Sequence, residues 1–338
     1  MKSVAEAAGV SVVTVSLALR NHPSIPAKTR ARIQRVATRL GYRTNPMVAA
    51  LMSQLRSARA AKGAPVIAFL VFHPKPERFA QRDFWLGALY AGAEARAQRL
   101  GYKLERFWLN EPGMTEERMR KILQARGIRA AIMAPLVEPI PRIEFNWDGF
   151  ACATTGYSYN NPVLHRVAHD QFSAIRMAIA RLTELGYQRI GLAIRFVDDL
   201  RTGKRWSGGF LSEHAYLPPE RRLPIFFWHV GRPEGFQEWV REQRPDAIIT
   251  LHSVVKDWLL AMGMQPPRDI GLASLNLQGD QADWTGVNEQ HDLLGSGAID
   301  LVVEQIYHNE HGVPARPKTT MVLGDWVEGN TTRRVSHA

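Results

Sequence analysis

Val4-Ala5-Glu6-Ala7-Ala8-Gly9-Val10-Ser11-Val12-Val13-Thr14-Val15-Ser16-Leu17-Ala18-Leu19 opens the chain with two short helices and almost nothing between them. Residues 4–8 are good helix formers, and Gly9 stops them. Ser11 stands where an N-cap belongs, ahead of a second helix from Val12 to about Leu19. A break of only Gly9-Val10-Ser11 is the spacing of a helix-turn-helix. Further out, Asn21-His22-Pro23 ends the second helix and Pro26 suits the first turn of a third. Ile33, Val36, Ala37 and Leu40 then fall at i, i+3, i+4 and i+7, one apolar face, with Gly41 at the C′ position.

The charge sits on this module. Residues 1–62 hold eleven Lys and Arg against Glu6 alone, which is +10 of the chain's net +11. A basic N-terminal fifth on a near-neutral body points to a polyanion partner, most simply nucleic acid. The 338 residues are 45% hydrophobic and 22% charged, enough for two or three domains with a large core. Cys152 is the single cysteine, so an internal disulfide and any multi-cysteine metal site are excluded. That fits a reducing compartment, the cytoplasm. Neither a signal peptide nor an apolar membrane span is expected.

Residues 43–62 read as a linker in which Asn45-Pro46 can open a helix, and Gly63-Ala64-Pro65 closes it. From Val66 the pattern changes. Val66-Ile67-Ala68-Phe69-Leu70-Val71-Phe72 is the continuous apolar run of a buried parallel strand. Further strands are predicted at 103–108, 129–134, 149–154, 189–194, 224–230, 246–251 and 270–275. Helices are predicted near 86–100, 115–126, 171–185, 234–243, 254–262 and 292–309. The alternation means α/β architecture with parallel sheets. Leu40-Gly41-Tyr42, Leu100-Gly101-Tyr102 and Leu185-Gly186-Tyr187 each end a helix. The last two precede strands 85 residues apart, which suggests two similar lobes.

Motifs of enzyme chemistry are missing from the sequence: GxGxxG, a phosphate loop, HExxH and a GxSxG elbow. The histidines are scattered, without metal-ligand spacing. Asp198-Asp199 reads as a solvated pair in a loop.

The N-terminal residues resemble one family. Val4-Ala5, Ala8-Gly9-Val10-Ser11, Thr14-Val15-Ser16 and Leu19, then Thr29-Arg30, Arg32-Ile33, Leu40-Gly41-Tyr42-Arg43 and Asn45-Pro46, are similar in kind and spacing to the DNA-binding region of LacI/GalR-type transcriptional regulators. Looser similarity runs through Arg126-Gly127-Ile128, Asp170, Leu185-Gly186-Tyr187, Arg244-Pro245-Asp246-Ala247-Ile248, Asp269-Ile270 and Gly329-Asn330-Thr331-Thr332. The resemblance implies an all-α helix-turn-helix domain at 1–44 and a hinge helix at 45–62. It implies a two-lobed core at 63–338 like a periplasmic binding protein. The expected protein is a homodimeric repressor that needs no cofactor. It would bind double-stranded operator DNA under control of a small effector, such as a carbohydrate. The family's leucine-heptad tetramer tail has no counterpart in residues 331–338. The family's cap for the first helix would lie before Met1, so the sequence is expected to start slightly late or the first helix to be frayed, unless Ser3 alone serves as the cap.

Residue by residue, the resemblance places Val12, Val13 and Leu17 on base edges. Being apolar, they suit thymine methyl groups or the small three-helix core. Leu17 replaces a frequent arginine. Ser11, Thr14 and Ser16 suit phosphate contacts, though Ser11 also suits capping. Arg20 and Asn45 are counted with the DNA surface. Leu51 falls where the family inserts a leucine wedge between base pairs.

For the effector, ligands of two-lobed α/β proteins bind beyond the carboxyl ends of strands. That rule picks His73, Phe84, Trp85, Tyr157, Arg195, Trp228, His252 and Asn276. Asn276 stands in place of a sugar-binding aspartate, which makes a carboxylate ligand more tolerable. Arg205 or Trp206 falls near the family's ligand arginine, with a register ambiguity of one residue. The competing reading is a solute-binding protein with the same core and no regulatory role. It lacks an explanation for residues 1–62. An enzyme on the same core has no motif to support it.

Overall fold

The computed structural model describes residues 2–19, 24–41, 64–73, 84–137, 142–229 and 234–335. The N-terminal module is three helices: α1 (Lys2–Ala8), α2 (Val12–Leu19) and α3 (Ala27–Arg39). Gly9 takes φ +62°, and the amides of Gly9 and Val10 return to the carbonyls of Glu6 and Ala5. A left-handed residue closes the helix cheaply only when it is glycine. The Ser11 hydroxyl accepts the Thr14 amide at 3.0 Å, so α2 is capped as its sequence predicts. Val4, Ala5, Ala8, Val15, Ala18, Ile33 and Ala37 make the module's small core.

One expectation fails locally. Leu40 is the C-cap of α3 and is 49% exposed, because the helix ends before its side chain can join Ile33 and Ala37. Ser3 lies inside α1 and is not its cap. Arg20, Asn45, Leu51 and the expected hinge helix lie outside the described residues.

The body holds two six-stranded sheets. The first is built from β1 (Val66–Val71), β2 (Lys103–Trp108), β3 (Ala130–Met133), β4 (Ala151–Thr155), β5 (His165–His169) and β11 (Thr319–Val322). The second is built from β6 (Ile190–Arg195), β7 (Phe226–Trp228), β8 (Ala247–Thr250), β9 (Gly271–Ser274), β10 (Thr285–Asn288) and β12 (Asp325–Val327). Their orders, β11-β5-β4-β3-β1-β2 and β12-β10-β9-β8-β6-β7, are one topology used twice. Pairing is parallel throughout, except that β12 runs antiparallel to β10. All eight strands expected from the sequence are present. β5, β10, β11 and β12 were not expected. β5 is wholly buried yet reads His-Arg-Val-Ala-His, and β10 is four residues with a central glycine.

The helices that matter for the site are α4 (Trp85–Arg99), α6 (Gln171–Glu184), α7 (Phe196–Arg201), α8 (Arg205–His214) and α11 (His291–His308); α5, Glu116–Ala125, α9, Phe236–Gln243, and α10, Val254–Ala261, complete the layers. α7 and α8 were not expected. No described helix is long and apolar enough to cross a membrane.

The chain passes between the sheets three times: from β5 into α6, from β10 into α11, and from β11 to β12. α11 lies on α4 over the first sheet, with Leu294, Ala298, Ile299 and Val302 in the same core as Leu86, Leu89 and Ala93. The helices approach so closely that a Cβ at Gly295 would overlap the Leu89 carbonyl oxygen. α6 packs over the second sheet.

The repeated Leu-Gly-Tyr is a helix stop of defined geometry. Tyr102 donates its amide to Ala97 and Gly101 to Gln98. Tyr187 does so to Leu182 and Gly186 to Thr183. This is the paired bonding of a Schellman cap. The two sites are not equivalent in the two lobes, since α4 joins two strands of one sheet and α6 joins the sheets. The lobes are similar as expected, on grounds the motif spacing did not supply.

Candidate functional site

Two surfaces carry the expected functional residues. On α2, Val12 is 44% exposed and Leu17 half-buried, and neither belongs to the module's core. Ser11 is exposed and shares a 2.8 Å hydroxyl contact with Thr14 besides capping the helix. Val13 and Ser16 lie on the same helix, with side chains outside the described residues. Val12 is thus the one described apolar side chain left exposed on α2.

The second surface is a cavity of about 670 Å³ between the lobes. Its walls come from the carboxyl ends of strands in both sheets: His73 after β1, Tyr157 after β4, Arg195 ending β6, His252 after β8 and Asn276 after β9. Phe84 and Trp85 enter from the start of α4, and Trp206 from α8. Eight of the ten expected effector residues therefore line one cavity. Of the two residues in the ambiguous register, Trp206 lines the cavity. Arg205 lies off the lining, with its guanidinium 3.8 Å from the Tyr157 ring centre, a cation–π contact. Trp228 is also off the lining, buried edge-on behind His252 at 5.2 Å. The Trp85 amide donates to Gln278 Oε1 at 3.2 Å, which joins the lobes across the cleft.

The floor on the second lobe is charged. Asp198, in the first turn of α7, is 3% exposed. Its Oδ2 accepts Arg195 Nε at 2.7 Å and lies 2.7 Å from His252 Nε2, while Oδ1 meets Arg195 Nη2 at 3.1 Å and Arg201 at 3.2 Å. Burial pushes this carboxyl up. The hydrogen bonds from His252 and Arg195 and the charge of Arg201 outweigh it and hold it well below the ordinary range. Asp199, also buried, accepts the Ser207 amide at 3.0 Å and hydroxyl at 2.7 Å. The expectation of a solvated loop pair is thus corrected: the two carboxylates open a helix and are consumed by internal partners.

The opposite corner holds His169, ending β5, with Glu289 and His291 at the passage from β10 to α11. His169 Nε2 lies 3.1 Å from His291 Nδ1, and His291 Nε2 lies 2.9 Å from Asn276 Oδ1. Glu289 Oε2 is 3.8 Å from a nitrogen of each ring. Burial raises the Glu289 carboxyl to about 8. Burial, then the charge of Arg201, lowers His291 to about 4. Burial and the neighbouring His291 hold His169 well below its usual range. Sequence reasoning missed these three, together with Gln171, Arg201 and Gln278. The rule that found the others, residues beyond strand ends, reaches His169 and Glu289 as well once β5 and β10 are recognised. Tyr157 Oη and Gln171 Oε1 are buried in the wall without a hydrogen-bond partner among the described residues, groups that a polar ligand would pair.

Comparison with known proteins bears on the first 45 residues and on the fold of the whole chain. Residues 1–45 match the family model described as bacterial regulatory proteins, lacI family. No curated protein matches the sequence. Among solved structures, the chain is similar to a transcriptional regulator CelR–cellobiose complex, at TM-score 0.57 and 16% identity over 97% of this chain and 98% of that one. It is similar to the lac repressor dimer bound to operator and the anti-inducer ONPF, at TM-score 0.56 and 17% identity over 98% of each chain. A periplasmic binding protein/LacI transcriptional regulator from Alkaliphilus metalliredigens QYMF, complexed with D-xylulofuranose, aligns at TM-score 0.54 and 17% identity over 79% of this chain and 98% of that one. At such identities the likeness is one of fold.

Proposed function

We propose that this chain, whose first 45 residues match the lacI family of bacterial regulatory proteins, is a transcriptional repressor, with operator affinity set by a small polyhydroxylated effector of the sugar class held between its lobes. One observation carries the reading: a single chain joins a lacI-type helix-turn-helix to a cleft walled by aromatic rings and polar groups from two lobes. The solved structures of similar fold include complexes named for cellobiose and for D-xylulofuranose, and a dimer named as bound to operator. The reading makes this chain a cytoplasmic homodimer whose cleft binds without turnover.

Function then follows by linkage. Val12 and Leu17 of each protomer meet base edges in a half-site, and two half-sites about one helical turn apart supply the affinity. An effector changes operator affinity only by its preference between two lobe arrangements. A hundredfold preference is worth about 2.7 kcal/mol. The Trp85–Gln278 contact and the three inter-lobe passages are what such a preference acts on.

The test is selection of sites from random duplex DNA by the full chain, followed by fluorescence anisotropy with a panel of mono- and disaccharides. A two-fold-related site should emerge, and at least one sugar should change its Kd tenfold or more. Failure to enrich any site over random DNA at 150 mM salt overturns the regulator. An enriched site that no sugar affects overturns the effector class.

A further inference from the structure

We propose that His169, His291 and Glu289 bind one divalent transition-metal ion, of zinc or cobalt type, with its remaining coordination positions open to the cleft. The inference does not depend on the regulatory reading.

The donor set is brought together by the fold from two separate chain passages. His169 ends β5, while Glu289 and His291 flank Gln290 between β10 and α11. Their ligand atoms lie within 4.8 Å of one another. Two imidazoles and a carboxylate suit zinc, cobalt, nickel or ferrous iron. At metal–ligand bonds of roughly 2.1 Å, neighbouring donors stand about 3.0–3.4 Å apart. The separation of 3.1 Å between His169 Nε2 and His291 Nδ1 is already in that range. Glu289 Oε2 stands 3.8 Å from His169 Nε2 and reaches an ion held between the two rings by side-chain rotation.

The surroundings fit as well. Asn276 Oδ1 can only accept, so His291 Nε2 carries the proton and Nδ1 presents a bare lone pair toward His169. A ligating histidine whose other N–H is held by an amide oxygen is the usual second layer of a metal site. Glu289 is buried, and its Oε1 has no hydrogen-bond partner among the described residues. A carboxylate out of water demands a cation or a donor. The nearest cation in effect, Arg201, is already paired to Asp198 at 3.2 Å. His169 Nδ1 also has no hydrogen-bond partner among the described residues, and it carries the ring proton when Nε2 coordinates. All three residues line the cavity. Three protein ligands with an open side are the arrangement of a metal that takes an exogenous ligand. The ligand class that follows is a chelating oxygen pair, vicinal hydroxyls or an α-hydroxycarboxylate.

The test uses the full chain, purified without a histidine tag and stripped with EDTA. Co²⁺ alone is titrated and followed by visible absorption, with Zn²⁺ titrated by calorimetry. One equivalent per chain should bind at micromolar Kd or tighter, with the d–d bands of nitrogen-ligated cobalt. Glu289→Gln and His291→Gln should each weaken binding about a hundredfold, while His311→Gln, at an exposed histidine elsewhere, should not. Circular dichroism checks that the variants fold. The wild-type cobalt spectrum reports nitrogen ligation without any variant. Absence of stoichiometric binding, a spectrum of oxygen ligands only, or binding that survives both cleft substitutions overturns the proposal.

Discussion

Asp198 concentrates the electrostatics of the cleft in one side chain. It is buried, while its partners Arg195 and Arg201 stay about a quarter exposed. Breaking a buried ion pair costs about 3–5 kcal/mol. The partial exposure of the arginines discounts that, so Asp198→Asn should destabilise the core by about 2–3 kcal/mol at pH 7. The sign with pH follows from the depressed carboxyl. An unfolded aspartate titrates near 3.9, and the folded one lies well below it. The stabilisation is therefore whole above about pH 4 and fades as the pH falls toward the folded value. Urea unfolding of wild type and Asp198→Asn should show a gap that narrows steadily below pH 4. A gap equal at pH 7 and pH 3 would show that the charge contributes nothing.

Among the elements, the α4–α11 contact is the least forgiving. Gly295 faces backbone, the Leu89 carbonyl, and Gly92 faces the backbone of Asp292. Backbone cannot rotate aside as a side-chain tip can. Gly295→Ala should cost about 3 kcal/mol, the upper end for overpacking, read as a lower midpoint in denaturant with an unchanged slope. Glycine in this helix is worth having only because of what it touches, and that is invisible in one sequence. The same gap explains what could be read beforehand and what could not. Val66–Val71 announces itself because it is apolar on both faces. His165–His169 hides because its polar side chains are buried by tertiary partners, with the His165 ring accepting the Lys318 amide at 2.9 Å. With β5 and β10 unread, His169 and Glu289 had no strand end to mark them. His73, Arg195, His252 and Asn276 followed recognisable strands and were found. Asp198 was misjudged because neighbouring carboxylates look solvated until α7 and its arginines are in place.

For the molecule as a whole, the charge and the cores divide at the same place. The three-helix core shares no residue with the four clusters of the body. The first 62 residues carry +10. Residues 63–338 alone should therefore keep the two-lobed fold by circular dichroism and fail to retard operator DNA. For the full chain, log K against log salt should fall with a slope of about −5 to −9, as for six to ten phosphate contacts. A shallow slope, or retardation by the body alone, would move the DNA surface elsewhere. Sedimentation at micromolar concentration should give a dimer.

The threefold passage of the chain also decides when each lobe can exist during synthesis. The first sheet takes its outer strand from residues 319–322, and its covering helix from 291–308. The second takes its last strand from 325–327. Domains in many proteins fold one after another as they leave the ribosome. Here that order is closed off. The amino-terminal lobe, begun at Val66, keeps the apolar face of Leu86, Leu89 and Ala93 uncovered until residues 291–308 have left the ribosome, and it stays a five-stranded fragment until residues 319–322 follow. Both lobes reach completion within a few residues of each other, and until the covering helix emerges the nascent chain must keep that face out of contact with its neighbours on the polysome.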